Sequence, residues 1–226
     1  MSYNVHHGQA DHVHAQLMRD PFPAVAPHLR LMVVDDPYMM GQRPLAYSVS
    51  SRCTAALCVK QSRTEAVFLG QDHAHAWGVG KQDIWFAALQ NMAYEPVEVT
   101  PNESTADVPL YTLYGKDWAG SAHIMRLGDV LPGPAPFGAV AMLPGVNSIL
   151  FAPLLSKRSL RILPMMWLVY KRFSSEDRAV TDHLLWWRGG RLSAMDAMDS
   201  EQVDGKSGIH LIESPEFQRM KDELPD

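Results

Sequence analysis

The chain has 226 residues, 46% hydrophobic and 20% charged, with a net charge of −5 when histidine is neutral. That length suits one large domain or two small ones and can bury a proper core. The acidic balance disfavours a broad nucleic-acid surface, which needs a clustered basic face. The nearest approach to one is Lys157, Arg158, Arg161, Lys171 and Arg172. The longest apolar stretch, Ile162–Tyr170, is too short to span a bilayer and carries Pro164. The polar start, MSYNVHHGQADHVHAQ, does not read as a secretory signal. Cys53 and Cys58 lie five apart in a strand-like segment, hence on opposite faces, which argues against a disulfide. Reduced thiols in a cytoplasmic protein are the expectation.

Residues 1–27 read as a His-rich N-terminal segment, partly helical or mobile, with a short helix within Val5–Leu17 and a break at Pro21, Pro23 and Pro27. Residues 28–226 read as a single domain. Leu29–Val34 predicts a buried strand ended by Asp35-Asp36-Pro37, and Ala46–Ser50, Thr54–Lys60 and Glu65–Leu69 predict three more in an antiparallel meander. Lys81–Glu95 predicts a helix with Trp85, Ala88, Leu89 and Met92 on its buried stripe, stopped by Pro96. Val97–Thr100 and Leu110–Tyr114 predict strands around a polar loop, Pro101–Asp107, and Trp118–Leu127 a short helix. Ala139–Leu143 and Ser148–Ala152, separated by Pro144-Gly145-Val146-Asn147, predict a hairpin.

Ser156–Phe173 predicts a helix kinked at Pro164. Leu184–Trp187 predicts a strand running into the turn Arg188-Gly189-Gly190-Arg191, and Asp199–Ser207 a polar, mobile loop. Ile209–Ile212 predicts a last strand, followed by a helix capped by Ser214 with Pro215 at its first position. Strands first, then mixed elements, favour an α+β fold with a mainly antiparallel sheet and packed helices over a doubly wound one.

The succession WGVGKQDIWFAALQNM (residues 77–92), GSAHIM (residues 120–125) and AVAMLP (residues 139–144) resembles the YtpQ-like family of bacterial domains of unknown function. The resemblance spans roughly residues 70–153. It implies an intracellular α+β domain and no particular reaction. The family often continues past the proline with a polar, charged pair, where this chain has Gly145-Val146-Asn147.

Chemistry is most concentrated in the histidines, ten in all. His73-Ala74-His75 follows a strand-like segment and sits beside Asp72; His12-Val13-His14 is a second such pair. In an extended segment, residues i and i+2 point to the same side, so His73 and His75 could share a zinc or iron ion with Asp72. On a helix the two rings would diverge by about 160°. A cupin-like pattern fails, because no Glu follows the pair. Ser121-Ala122-His123 is no triad by adjacency, since triad partners must meet in space. Gly78-Val79-Gly80 followed by Lys81-Gln82-Asp83 matches no phosphate loop and reads as a helix-entry turn. Of Trp186 and Trp187, strand alternation sends one inward and one outward. Trp187 flanked by Arg188 and Arg191 is a candidate partner-binding anchor; the competing reading packs it under the C-terminal helix. The thirteen methionines suit adaptable packing surfaces.

These readings converge on a cytoplasmic, non-catalytic protein-binding domain without a cofactor, an accessory or immunity-type partner of another protein. The alternative is a small enzyme holding one divalent transition metal on His73, His75 and Asp72.

Overall fold

The computed structural model describes residues 10–34, 44–50, 53–63, 65–103, 108–174, 180–181, 183–203 and 206–226. The Asp35-Asp36-Pro37 turn, the loop at 104–107 and the first nine residues lie outside them. The chain folds as α+β, with two antiparallel sheets and packed helices. Among the described residues no helix is long and apolar enough to cross a membrane.

The first half builds a four-stranded sheet from β1 (Leu29–Val34), β2 (Ala46–Ser50), β3 (Cys53–Lys60) and β4 (Ala66–Phe68). The predicted strands are all present, but not as a meander. Strand β3 is central: β1 pairs along one side, while β2 and β4 share the other, at Thr54–Ala56 and Cys58–Lys60 respectively. Leu45 and Leu69 stitch that shared edge through backbone bonds to each other and to Leu57. Sequence pattern alone cannot separate these arrangements, because both satisfy the same apolar runs. Cys53 and Cys58 are buried and form no disulfide.

Helices α1 (Ala10–Arg19) and α2 (Phe22–Val25) precede this sheet and bury Leu17 and Val25 in the shared core. Helix α3 (Gln71–Trp77) follows it, where extended chain was expected around His73. The stop signal is Gly78 at φ +62°, with the Val79 N–H bonded to the Ala74 carbonyl at 3.2 Å, a left-handed helix cap. Helix α4 (Lys81–Met92) buries Ile84, Ala88 and Met92; Trp85 and Leu89 lie only at the flank of that stripe. The predicted face is therefore rotated; Trp85 lies beside Tyr47, their rings tilted at 52° with centroids 4.5 Å apart.

The second sheet has seven strands in the order β11-β10-β9-β7-β8-β6-β5, built from β5 (Val97–Asn102), β6 (Leu110–Gly115), β7 (Ala139–Gly145), β8 (Ser148–Pro153), β9 (Leu184–Arg188), β10 (Arg191–Val203) and β11 (Lys206–Ile212). Strand β5 runs on over Pro101, which an edge strand tolerates. The hairpin β7–β8 forms as the Pro-Gly signal predicts. The β9–β10 turn uses Gly189 and Gly190 at φ +57° and +80°, the signature of a type I′ turn. Asp199–Ser207 is not a mobile loop: its described residues extend β10 and β11 as a hairpin. Its polar composition thus does not mark an absence of pairing.

Alternation along the seven strands feeds two cores. Ala139, Ala141, Ile149, Phe151 and Leu185 face the small sheet, while Val140, Met142, Leu150, Leu184 and Met195 face the last helices. The segment after β6 is a 3-10 turn, Gly120–Arg126, running into α5 (Leu127–Val130). Helix α6 (Leu163–Ser174) follows a 3-10 turn at Lys157–Ile162, so Pro164 stands in its first turn and opens the helix where a kink was expected. A proline there loses only an N–H that has no helical partner. Helix α7 (Pro215–Glu223) is capped as predicted, the Ser214 hydroxyl accepting the Phe217 N–H at 3.2 Å. Phe217 and Met220 then close the second core with Met166 and Trp167 of α6.

Candidate functional site

The His-x-His pair does not converge. On α3, His73 points inward and is 4% exposed, while His75 lies on the exposed face. On a helix, positions two apart diverge by about 160°, so the two rings leave the helix in different directions. Among the described residues no three metal-ligating side chains gather. Asp72 and His75, one turn apart, line an open pocket of about 660 Å³ with Gln71 and Lys81. The Lys81 ammonium is not offered to that pocket: it donates to the Ala46 carbonyl and sits 4.0 Å from the Tyr47 ring centre.

Tertiary structure instead brings His73 to His14, joining one histidine from each predicted pair. His14 Nδ1 and His73 Nε2 are 3.0 Å apart across α1 and α3. The Gly70 N–H donates to His73 Nδ1 at 3.1 Å, so a neutral His73 carries its proton on Nε2 and donates to His14. That tautomer leaves His73 no free lone pair for a metal. Burial lowers the basicity of His14, against the pull of Asp11. Burial also lowers that of His73, helped by the His14 charge and opposed in part by Asp72. Sequence spacing could not reveal this contact, whose partners are 59 residues apart.

A second buried polar cluster was not anticipated at all. Glu95, 7% exposed, follows α4 and takes the Arg30 guanidinium of β1 and the Lys60 ammonium of β3, the latter at 2.8 and 2.9 Å. Burial pushes the carboxyl up, but the bonds and charges of Lys60 and Arg30 outweigh it and hold Glu95 below its ordinary range. Lys60 also lies 5.8 Å from the centre of the Trp118 ring, whose indole N–H donates to the Leu31 carbonyl at 2.8 Å. The available signal was a lone cation in each of two apolar strands, LRLMVV and CTAALCVK, since a buried charge demands a counter-charge.

His123 is 2% exposed in the 3-10 turn, and its Nε2 has no hydrogen-bond partner; nor does the buried Ser121 hydroxyl. Ser121 and His123 thus form no relay. Burial, then the Arg126 charge, push His123 down to about 4, against Glu95. A depressed folded value means the unfolded chain binds the proton first. Stability is fully present above the ordinary 6.5 and is lost as pH falls from 6.5 towards about 4. The expected share of His123 at pH 4.5 is between about 2 and 3 kcal/mol. Urea unfolding at pH 7.5 and 4.5 checks it: His123→Asn should flatten the difference by that amount.

The predicted partner anchor is also reassigned. Trp186 packs under α7, edge-on to Phe217, and donates to the Phe137 carbonyl at 3.0 Å. Trp187 faces the other core, with its ring pressed on Gly128 so closely that a Cβ there would meet Cζ2 at 2.6 Å. It is half-buried, and its indole nitrogen is sealed from solvent. Arg188 pairs with Glu223 at 3.3 Å; Arg191 is exposed. Trp187 is therefore a packing residue, because both faces of this sheet are covered at β9.

Exposed apolar side chains lie elsewhere. Register places Met198, Asp196, His210 and Ile212 on one face of the β10–β11 ribbon, opposite Ala197, Ile209 and Leu211, which pack on the second core. Met198 and Ile212 are 52% and 53% exposed. Strand β11 is a sheet edge, and among the described residues no bond other than those to β10 reaches Ile209–Ile212. The opposite edge, β5, carries Pro101 and Glu98, which blunt it. On the small sheet, three strand carbonyls accept side-chain bonds: Leu31 from Trp118, Leu29 from Asn91 and Ala46 from Lys81. No family model, curated protein or solved structure matches the chain.

Proposed function

We propose that the chain is a cytoplasmic, non-catalytic protein-binding domain, an accessory or immunity-type partner that takes an extended segment of another protein along β11. The observation that carries this reading is the β11 edge, which Ile209–Ile212 leave open among the described residues and which the exposed Met198 and Ile212 flank. An added strand would gain main-chain bonds from the edge and side-chain contact from those two residues. The similarity of residues 70–153 to YtpQ-like domains is part of the same proposal and adds no reaction to it.

The test places a photo-crosslinking residue at Ile212 in cells, with Glu98 on the far edge as control. A dominant protein adduct from position 212 alone is expected. Once that protein is purified, Ile212→Lys should weaken its binding at least tenfold while thermal stability stays unchanged. Equal crosslinking at both edges, or unchanged affinity in the variant, would overturn the reading.

A further inference from the structure

Helix α1 rests on α3 through a small set of contacts. Leu17 is buried, its carbonyl accepts the Trp77 indole N–H at 2.9 Å, and His14 meets His73. We propose that the His14–His73 contact is an acid-released latch: with both rings neutral it holds α1 down, and a proton on either ring frees the helix.

The argument is one of hydrogen-bond parity. His73 Nδ1 is occupied as an acceptor by the Gly70 N–H, so Nε2 must donate and His14 Nδ1 must accept. A proton taken up by His14 lands on Nδ1, and two N–H groups then face each other across 3.0 Å. A proton taken up by His73 lands on its Nδ1, opposite the Gly70 N–H at 3.1 Å. Either event turns an attraction into a clash of donors, with a positive charge in a half-buried place.

The groups facing the pair are few. Asp11 on α1 and Asp72 on α3 favour the charged rings, and burial outweighs both. Strand β4, also packed on α1, brings only Ala66, Val67 and Phe68. The Trp77 ring lies 5.7 Å from His73. Release would uncover Leu17, Trp77 and Phe22, the last two now in tilted contact with ring centroids 5.7 Å apart. A short helix held on one side belongs to the low end of local stability, where the loss of one contact weighs most.

Hydrogen exchange on the whole chain at pH 7.5 and 5.0, corrected for intrinsic rates, tests the latch. Protection across Ala10–Arg19 should fall at least tenfold at pH 5.0 while β7 and β8 keep theirs. The pair His14→Leu with His73→Leu should keep α1 protected at both pH values. Nitrogen-15 shifts of the imidazoles in the unmodified chain serve if that variant misfolds. They should show neutral His73 protonated at Nε2, and both rings gaining protons in step with α1 exposure. Unchanged α1 protection at pH 5.0, pH dependence surviving in the double variant, or ring protonation with α1 still protected would each overturn the proposal.

Discussion

Replacing Glu95 by Gln should cost about 3–5 kcal/mol of stability, the range expected when one partner of a buried ion cluster is removed. Its carboxylate pairs with both Arg30 and Lys60, whose side chains are 14% and 19% exposed. Gln keeps the shape but leaves two buried cations facing one acceptor oxygen. The same groups tie the end of α4 to β1 and β3, so the loss reaches the whole small sheet. Chemical denaturation at pH 7 reads the effect directly. Replacing all three together, Arg30→Met, Lys60→Met and Glu95→Leu, should recover most of it, because an apolar cluster removes the desolvation cost as well as the attraction. A Glu95→Gln loss below about 1 kcal/mol would mean that water screens the cluster. Linkage gives an independent check. The folded carboxyl is held below its ordinary value, so its contribution is complete above pH 4.5 and is lost only as pH falls below that.

Gly120→Ala should cost at least about 3 kcal/mol, at the upper end for overpacking, because the obstacle is backbone. A Cβ at residue 120 would stand 2.3 Å from the Asn147 carbonyl oxygen and 2.6 Å from the Gly115 nitrogen. These atoms belong to one brace. The Gly115 N–H donates to the Asn147 carbonyl at 3.2 Å, and Asn147 Nδ2 donates to the Gly115 carbonyl at 3.0 Å. The Gly120 N–H donates to Asn147 Oδ1 at 3.2 Å, and the Ser121 N–H to the Val146 carbonyl at 3.1 Å. The β7–β8 turn thereby seats the 3-10 segment that carries His123, with Trp118 just before it, between the two sheets. Unfolding by urea should show the loss, and crystallography should show the turn displaced. Gly133→Ala, where an added Cβ meets nothing within 4 Å, should cost far less and serves as the control. The Gly145-Val146-Asn147 turn thus has a structural use of its own.

What the chain revealed in advance was local. The Gly-Gly hairpin, the β7–β8 hairpin, the Ser214 cap and the apolar strand runs follow from turn chemistry and alternation, which act within a few residues. Misreadings arose where local signals compete. Ala74, Ala76 and Gly78 are helix-forming and helix-stopping signals, and they outweigh the strand-like start that suggested a metal pair at His73 and His75. Pro164 reads as a kink until the preceding 3-10 turn makes it a first-turn residue. Trp187 reads as a surface anchor until Gly128 arrives beneath it from α5.

The sequence by itself determined the class: an acidic α+β chain with a mainly antiparallel sheet, in which Cys53 and Cys58 form no disulfide. Tertiary structure alone decided which polar groups meet. His14 reaches His73 over 59 residues, and Glu95 reaches Arg30 over 65. Secondary structure is set by periods of two and 3.6 residues, which a linear reading can see. A buried hydrogen bond or ion pair is set by where distant elements pack. Its energy is gained only once both partners leave water together.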